Sequence, residues 1–132
     1  MARPVQSSTL VRMEIVERSV GDITILDLKG KLTTGGGAEL LRDKVTSIVF
    51  QGQTKVLLNL AGVPYMDSGG LGELVRCSMA ARRANGAVKL VNLTSRITDL
   101  LTITKLLTVF DTFDTEAEAL ASFGAATAVT PA

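Results

Sequence analysis

Asp67-Ser68-Gly69-Gly70 is the stretch of this 132-residue chain in which an acid, a hydroxyl and backbone freedom meet. A serine hydroxyl can act as a nucleophile, accept a phosphoryl group or cap a helix. Nucleophilic use needs a base, and the chain contains no histidine. Ser-His-Asp and Cys-His catalysis in their usual forms are therefore excluded, as are histidine metal sites. Asp67 is a poor base at neutral pH unless its environment raises its pKa. The string is not Gly-x-Ser-x-Gly, so it makes no nucleophile elbow. Gly35-Gly36-Gly37 lacks the basic residue that a phosphate-binding loop needs. Two uses stay open. Asp67 or Ser68 caps a helix, or Ser68 receives a phosphate. The glycines would let another protein's active site approach the backbone, and phosphorylation would add about −1.5 to −2 charges. Charge placed on a desolvated contact opposes binding, while a helix N-terminus offsets part of its cost in the free protein.

The elements around the motif must place it at the mouth of a helix. Val56-Leu57-Leu58-Asn59-Leu60 reads as a buried strand within a third strand from Lys55 to Leu60. From Gly69 to about Ala84 an apolar period sets Leu71, Leu74, Val75 and Ser78 on a packed face. Arg82 and Arg83 fall in the last turn of that helix, and Asn85-Gly86 breaks it. Upstream, Met13 to Glu17 alternates as a strand with one wet face, and Gly21-Asp22 makes a hairpin turn. Ile23 to Leu28 follows as a more buried strand. After the polar loop from Gly30 to Gly37, a helix begins at Ala38 with Leu40, Leu41, Val45, Ile48 and Val49 on one face, and Gln51-Gly52-Gln53 stops it.

Downstream, Val88 to Leu93 is a fourth strand. Thr94 or Ser95 caps a helix carrying Ile97, Leu100, Leu101 and Ile103. Val109 to Phe113 is a short final strand, and Thr115 caps a last helix that runs through Phe123. A hairpin followed by alternating helix and strand predicts one α/β domain. It has a mixed sheet of about five strands, with about four helices mainly on one face. Residues 1–11 are expected to be a flexible lead-in, 12–123 the domain, and 124–132 a small-residue tail.

Nearly half the residues are apolar, enough for a core without disulfides. Cys77 is the only cysteine, no secretory leader is evident and no apolar run is long enough to span a membrane. These features point to a cytoplasmic protein without a membrane partner. The net charge of +1 and scarce aromatics give no reason to expect nucleic acid, and nothing calls for a cofactor or metal.

Met66-Asp67-Ser68-Gly69-Gly70-Leu71-Gly72 resembles the Asp-Ser-Ser/Thr/Ala-Gly-Leu-Gly signature of bacterial anti-sigma factor antagonists, members of the STAS domain family. The likeness extends over roughly residues 12–123, including Asn85 to Leu90, the Arg96 to Leu106 helix and the Val109 to Phe123 ending. It implies the STAS fold and a non-enzymatic role in partner switching. The serine after the aspartate, here Ser68, would be phosphorylated by a serine kinase that is itself the anti-sigma factor. The unphosphorylated form would bind that kinase and release a sigma factor for transcription, and a metal-dependent serine phosphatase would restore it. Asp67, Ser68, Gly69, Gly70 and Leu71 would form part of the kinase contact. Gly69 departs from the signature. The loop that in relatives reads Gly-Glu-Leu-Asp is here Gly30-Lys31-Leu32-Thr33, which replaces both acids and puts Thr33 at the partner surface.

The alternatives are a scaffold or transport-accessory role with Ser68 only a helix cap, and a small nucleotide-using enzyme built on Gly35-Gly36-Gly37 and Ser68. A homodimer stays open. Cys77 reads as a buried apolar residue, and Met13, Met66 and Met79 read as core or edge fillers. Arg76, Arg82 and Arg83 form a basic helix face, either solvated or facing an acidic partner.

Overall fold

The computed structural model describes residues 13–128; the expected lead-in and the last four residues lie outside it. β1 (Glu14–Val20) and β2 (Ile23–Lys29) form the hairpin, turned at Gly21 with φ +60°. Glycine takes that left-handed backbone without the Cβ clash other residues suffer. α1 (Ala38–Phe50), β3 (Lys55–Gly62), α2 (Ser68–Arg83), β4 (Ala87–Val91), α3 (Ser95–Ile103), β5 (Thr112–Phe113) and α4 (Glu116–Ala128) follow. The sheet order is β1-β2-β3-β4-β5, with β1 antiparallel and the other pairs parallel. This is the mixed five-strand, four-helix architecture expected.

The pleat of the sheet divides the core in two. Leu26, Leu28, Val56, Leu58, Leu60, Val88 and Leu90 face α1, α2 and α3 through Leu41, Val45, Leu74, Cys77, Ile97 and Leu101. On the other face Ile23, Ile25, Leu57 and Val91 meet Ala119 and Phe123 of α4. Three helices thus cover one face and one covers the other. The continuous apolar run of β3 reflects burial on both sides.

Several elements differ from expectation. β5 has two residues, not five: Val109 is 45 % exposed, and its N–H closes a turn onto Leu106 O. β4 ends at Val91 because Asn92 adopts φ +60°. Ile103 is 77 % exposed, since Ile97 and Leu101 define the inward face of a nine-residue helix and Ile103 lies two positions off it. Leu40 and Met79 are exposed for the same reason, one position away from the stripes at Leu41 and Ser78. α4 continues past Gly124 to Ala128. One glycine costs about 1 kcal/mol in a helix, and the alanines beyond it favour continuation.

Candidate functional site

β3 delivers the chain to the sheet's carboxyl edge at Gly62, and Val63 and Met66 anchor the following loop in the core. A second loop, between β2 and α1, lies against it. Leu32 bridges Met66: Leu32 N donates to Tyr65 O (3.0 Å), and Asp67 N donates to Leu32 O (3.3 Å). The buried Leu32 side chain pins this crossing. The start of α2 is thereby held between two loops.

Asp67 is the N-cap of α2. Its Oδ1 accepts from Gly70 N at 2.9 Å, and its carboxylate also accepts from Thr34 N at 3.2 and 3.3 Å. One side chain therefore satisfies a helix-start amide and ties the β2–α1 loop to the helix. Ser68 is the first residue of α2 and exposed, and its hydroxyl has no protein hydrogen-bond partner among the described residues. The acid caps; the hydroxyl is left over.

The other predicted positions separate into surface and interior. Gly69 sits under Thr34, whose Oγ1 occupies the space a Cβ at 69 would need. Gly70 is buried against Leu32 O, where a Cβ would also overlap. Leu71 is 7 % exposed and packs in the core, so its side chain faces away from the Ser68 surface. Thr33 is half-buried, and its carbonyl accepts from Gly36 N (2.9 Å) and Ala38 N (3.1 Å), shaping the loop. Lys31 is exposed.

Sequence reasoning passed over Thr34 and Glu73. Thr34 touches the motif from 33 residues away, a relation visible only once the loops cross. Glu73 falls on the inward side of α2, 5 % exposed. Its Oε2 accepts from Arg42 Nη1 (3.4 Å) and Arg76 Nη1 (3.1 Å), while its Oε1 is buried without a partner. An acid inside an apolar period was the available signal. Arg42, Glu73, Arg76, Thr34 and Gly69 line a cleft of about 500 Å³ between α1 and α2.

Cys77 is buried, and burial, with Glu73 adding to it, pushes its thiol up to about 12. It is a packing residue with no thiolate at neutral pH. Across the sheet, Arg18 forks onto Asp27 (2.6 and 3.0 Å) and Glu116 (2.7 and 3.2 Å), tying α4 to β1 and β2. The Arg18 hydrogen bonds hold the Asp27 carboxyl below its usual range against the opposing effect of burial, and Asn59 adds a further one. Among the described residues no group of His, Cys, Asp or Glu is arranged to hold a metal ion, and no helix is long and apolar enough to cross a membrane.

Known proteins share the fold. The anti-sigma-B factor antagonist of Bacillus subtilis (strain 168) is 36% identical over 74 residues, which cover 56% of this chain and 67% of that protein. A solved candidate anti-sigma factor antagonist from Thermotoga maritima superposes with TM-score 0.74 at 25% identity, covering 82% of this chain and 92% of that one. SpoIIAA in its unphosphorylated form shares the fold with TM-score 0.65 at 24% identity, covering 83% of this chain and 97% of that one. The phosphorylated form of the Bacillus protein shares it with TM-score 0.66 at 22% identity, covering 83% and 99%. The STAS domain model matches residues 14–119, which takes in every strand and the start of α4, and this chain belongs to the STAS domain family.

Proposed function

We propose that this chain is an anti-sigma factor antagonist. It binds an anti-sigma factor that is also a serine kinase, frees a sigma factor for transcription, and is switched off by phosphorylation of Ser68. A metal-dependent serine phosphatase resets it, and the exchange takes place in the cytoplasm without any catalytic step by this chain. The observation that carries the reading is the division of labour at the start of α2. Asp67 takes the cap, so the Ser68 hydroxyl stays exposed and unpaired where a kinase can reach it. The Bacillus subtilis relative, named for antagonism of an anti-sigma factor, supports the same role.

The physical logic follows from charge. A phosphate on Ser68 stands beside the Asp67 carboxylate, and the α2 amides relieve part of that repulsion in the free protein. A partner pressed flat on Asp67, Ser68 and Gly69 excludes water, and there the added charge opposes association. Exposed Lys31 and half-buried Thr33 border the same loop, so the partner's facing residues are acidic or neutral at that point.

Affinity capture with the Ser68→Ala protein from its host, followed by mass spectrometry, identifies the partner and the state of native Ser68. Titration of that partner then tests the switch. Ser68→Ala is expected to bind as the unmodified protein does, with Ser68→Asp and the phosphorylated form at least about tenfold weaker, or about 1.4 kcal/mol. Equal affinity of modified and unmodified protein overturns the reading. A large assembly indifferent to Ser68 substitution would assign the chain a scaffold role instead.

A further inference from the structure

Ser68, Gly72 and Arg76 are spaced four apart and share one ridge of α2. Arg76 is exposed, and its side chain folds back toward the start of the helix. Its Nη1 lies 3.6 Å from where a Cβ on Gly72 would stand and 3.1 Å from Glu73 Oε2. Cβ positions four residues apart are about 5–6 Å from one another, so the guanidinium stands about one turn from Ser68. Gly72 places no side chain between them. Nε and Nη2 of Arg76 have no protein partner among the described residues.

Glu73 is what holds the guanidinium there. Its carboxylate is buried, and a single oxygen receives both Arg42 and Arg76 while the other has no partner. Arg42 is shared between Glu73 and Asp43, whereas Arg76 meets Glu73 alone, at the end of an α1–α2 cleft that extends to Gly69 beside Ser68. The charges opposing an anion here are Asp67, next to Ser68; Glu39, which lines the same cleft and accepts from Gly35 N; and Asp43, 3.6 Å from Arg42. The α2 amides and Arg42 act with Arg76.

We propose that Arg76 is the intramolecular counter-ion of a phosphate on Ser68, receiving the dianion on its free guanidinium edge across Gly72. This rests on the reading of Ser68 as the phosphoacceptor. Phosphorylation then does more than add charge: Arg76 becomes shared between the phosphate and Glu73.

Phosphoserine installed at position 68 during translation by an expanded genetic code makes the test independent of any kinase. ³¹P NMR follows its second ionisation, which lies near pH 6 for an unperturbed phosphomonoester. Relative to the otherwise wild-type phosphoprotein, Arg76→Gln is expected to raise that pKa by about half a unit. Arg76→Lys raises it less, because the charge remains and the fork is lost. Arg83→Gln, two turns further along α2, leaves it unchanged. Equal ionisation of the Arg76→Gln and wild-type phosphoproteins overturns the proposal. Thermal melts of the same samples verify folding, and should Arg76→Gln fail to fold, the Arg76→Lys shift decides. A kinase that never modifies Ser68 would sink the preceding function and leave this titration result standing.

Discussion

Thr34 and Gly69 share one volume: the threonine hydroxyl lies where the glycine's missing side chain would be. The same Thr34 gives its backbone N–H to the Asp67 carboxylate. The β2–α1 loop is thus both fitted into the start of α2 and hydrogen-bonded to its cap. Gly69 leaves free the space that the Thr34 side chain fills.

Gly69 and Gly72, one and four residues past Ser68, should respond oppositely to alanine. Gly72 and Gly69 both lie in α2, where alanine is favoured over glycine by about 0.5–1 kcal/mol. At Gly72 the added Cβ meets only Arg76 Nη1 at an ordinary 3.6 Å, so Gly72→Ala is expected to stabilise. At Gly69 it overlaps Thr34, so Gly69→Ala is expected to destabilise by about 1–3 kcal/mol, and adding Thr34→Gly should recover part of the loss. Urea unfolding measures all three; equal stability of the two alanine variants would remove the steric account.

Asp67→Ala is expected to cost about 0.5–2 kcal/mol, as loss of a cap does, with Asp67→Asn milder because its carbonyl oxygen can still accept from Gly70 N. Amide hydrogen exchange should quicken at both Gly70 and Thr34. Quickening at Gly70 alone would mean that the loop does not depend on Asp67.

Acid should destabilise the fold through Asp27. Arg18 holds the Asp27 carboxyl below its ordinary value in the folded chain. That stabilisation is present above about pH 4, the unfolded value, and is lost as pH falls through the lower folded one. Asp27→Asn should therefore flatten the acid limb of stability against pH. The Arg18–Glu116 pair stays in place when Asp27 alone is protonated, so the effect falls first on the β1–β2 side of Arg18; an unchanged acid limb in Asp27→Asn would contradict the linkage.

Alkali should act through Cys77, whose thiol is raised to about 12 in the fold against about 8.5 when unfolded. The folded state holds its proton longer, so stability is complete below about pH 8.5 and declines above it, approaching about 1.4 kcal/mol per pH unit. Cys77→Ala should remove that part of the slope. Rapid alkylation of the native thiol at pH 8 would show that it is not buried.

Most of the fold could be read in one dimension because its periods are local. The hairpin at Gly21, the two-sided apolar run of β3 and the α2 stripe at Leu71, Leu74 and Ser78 all reflect the pleat or the helical turn. The misjudged residues, Leu40, Met79, Ile103 and Val109, lie at the margins of stripes or at element ends. There a hydrophobic side chain satisfies the pattern without being packed.

The amino-acid order by itself determined that an acid and a hydroxyl open a helix after a buried strand, and that histidine chemistry is absent. Which of the two side chains caps the helix was decided only in three dimensions, where Asp67 is drawn to Gly70 N and to Thr34 N from a loop 33 residues away. The same crossing of loops set the Thr34 side chain in the space beside Gly69, and the packing of α1 on α2 brought Arg42 to Glu73. Contacts between distant segments leave no periodic trace in a chain, because they arise from how the sheet and helices stack and not from the spacing of neighbours.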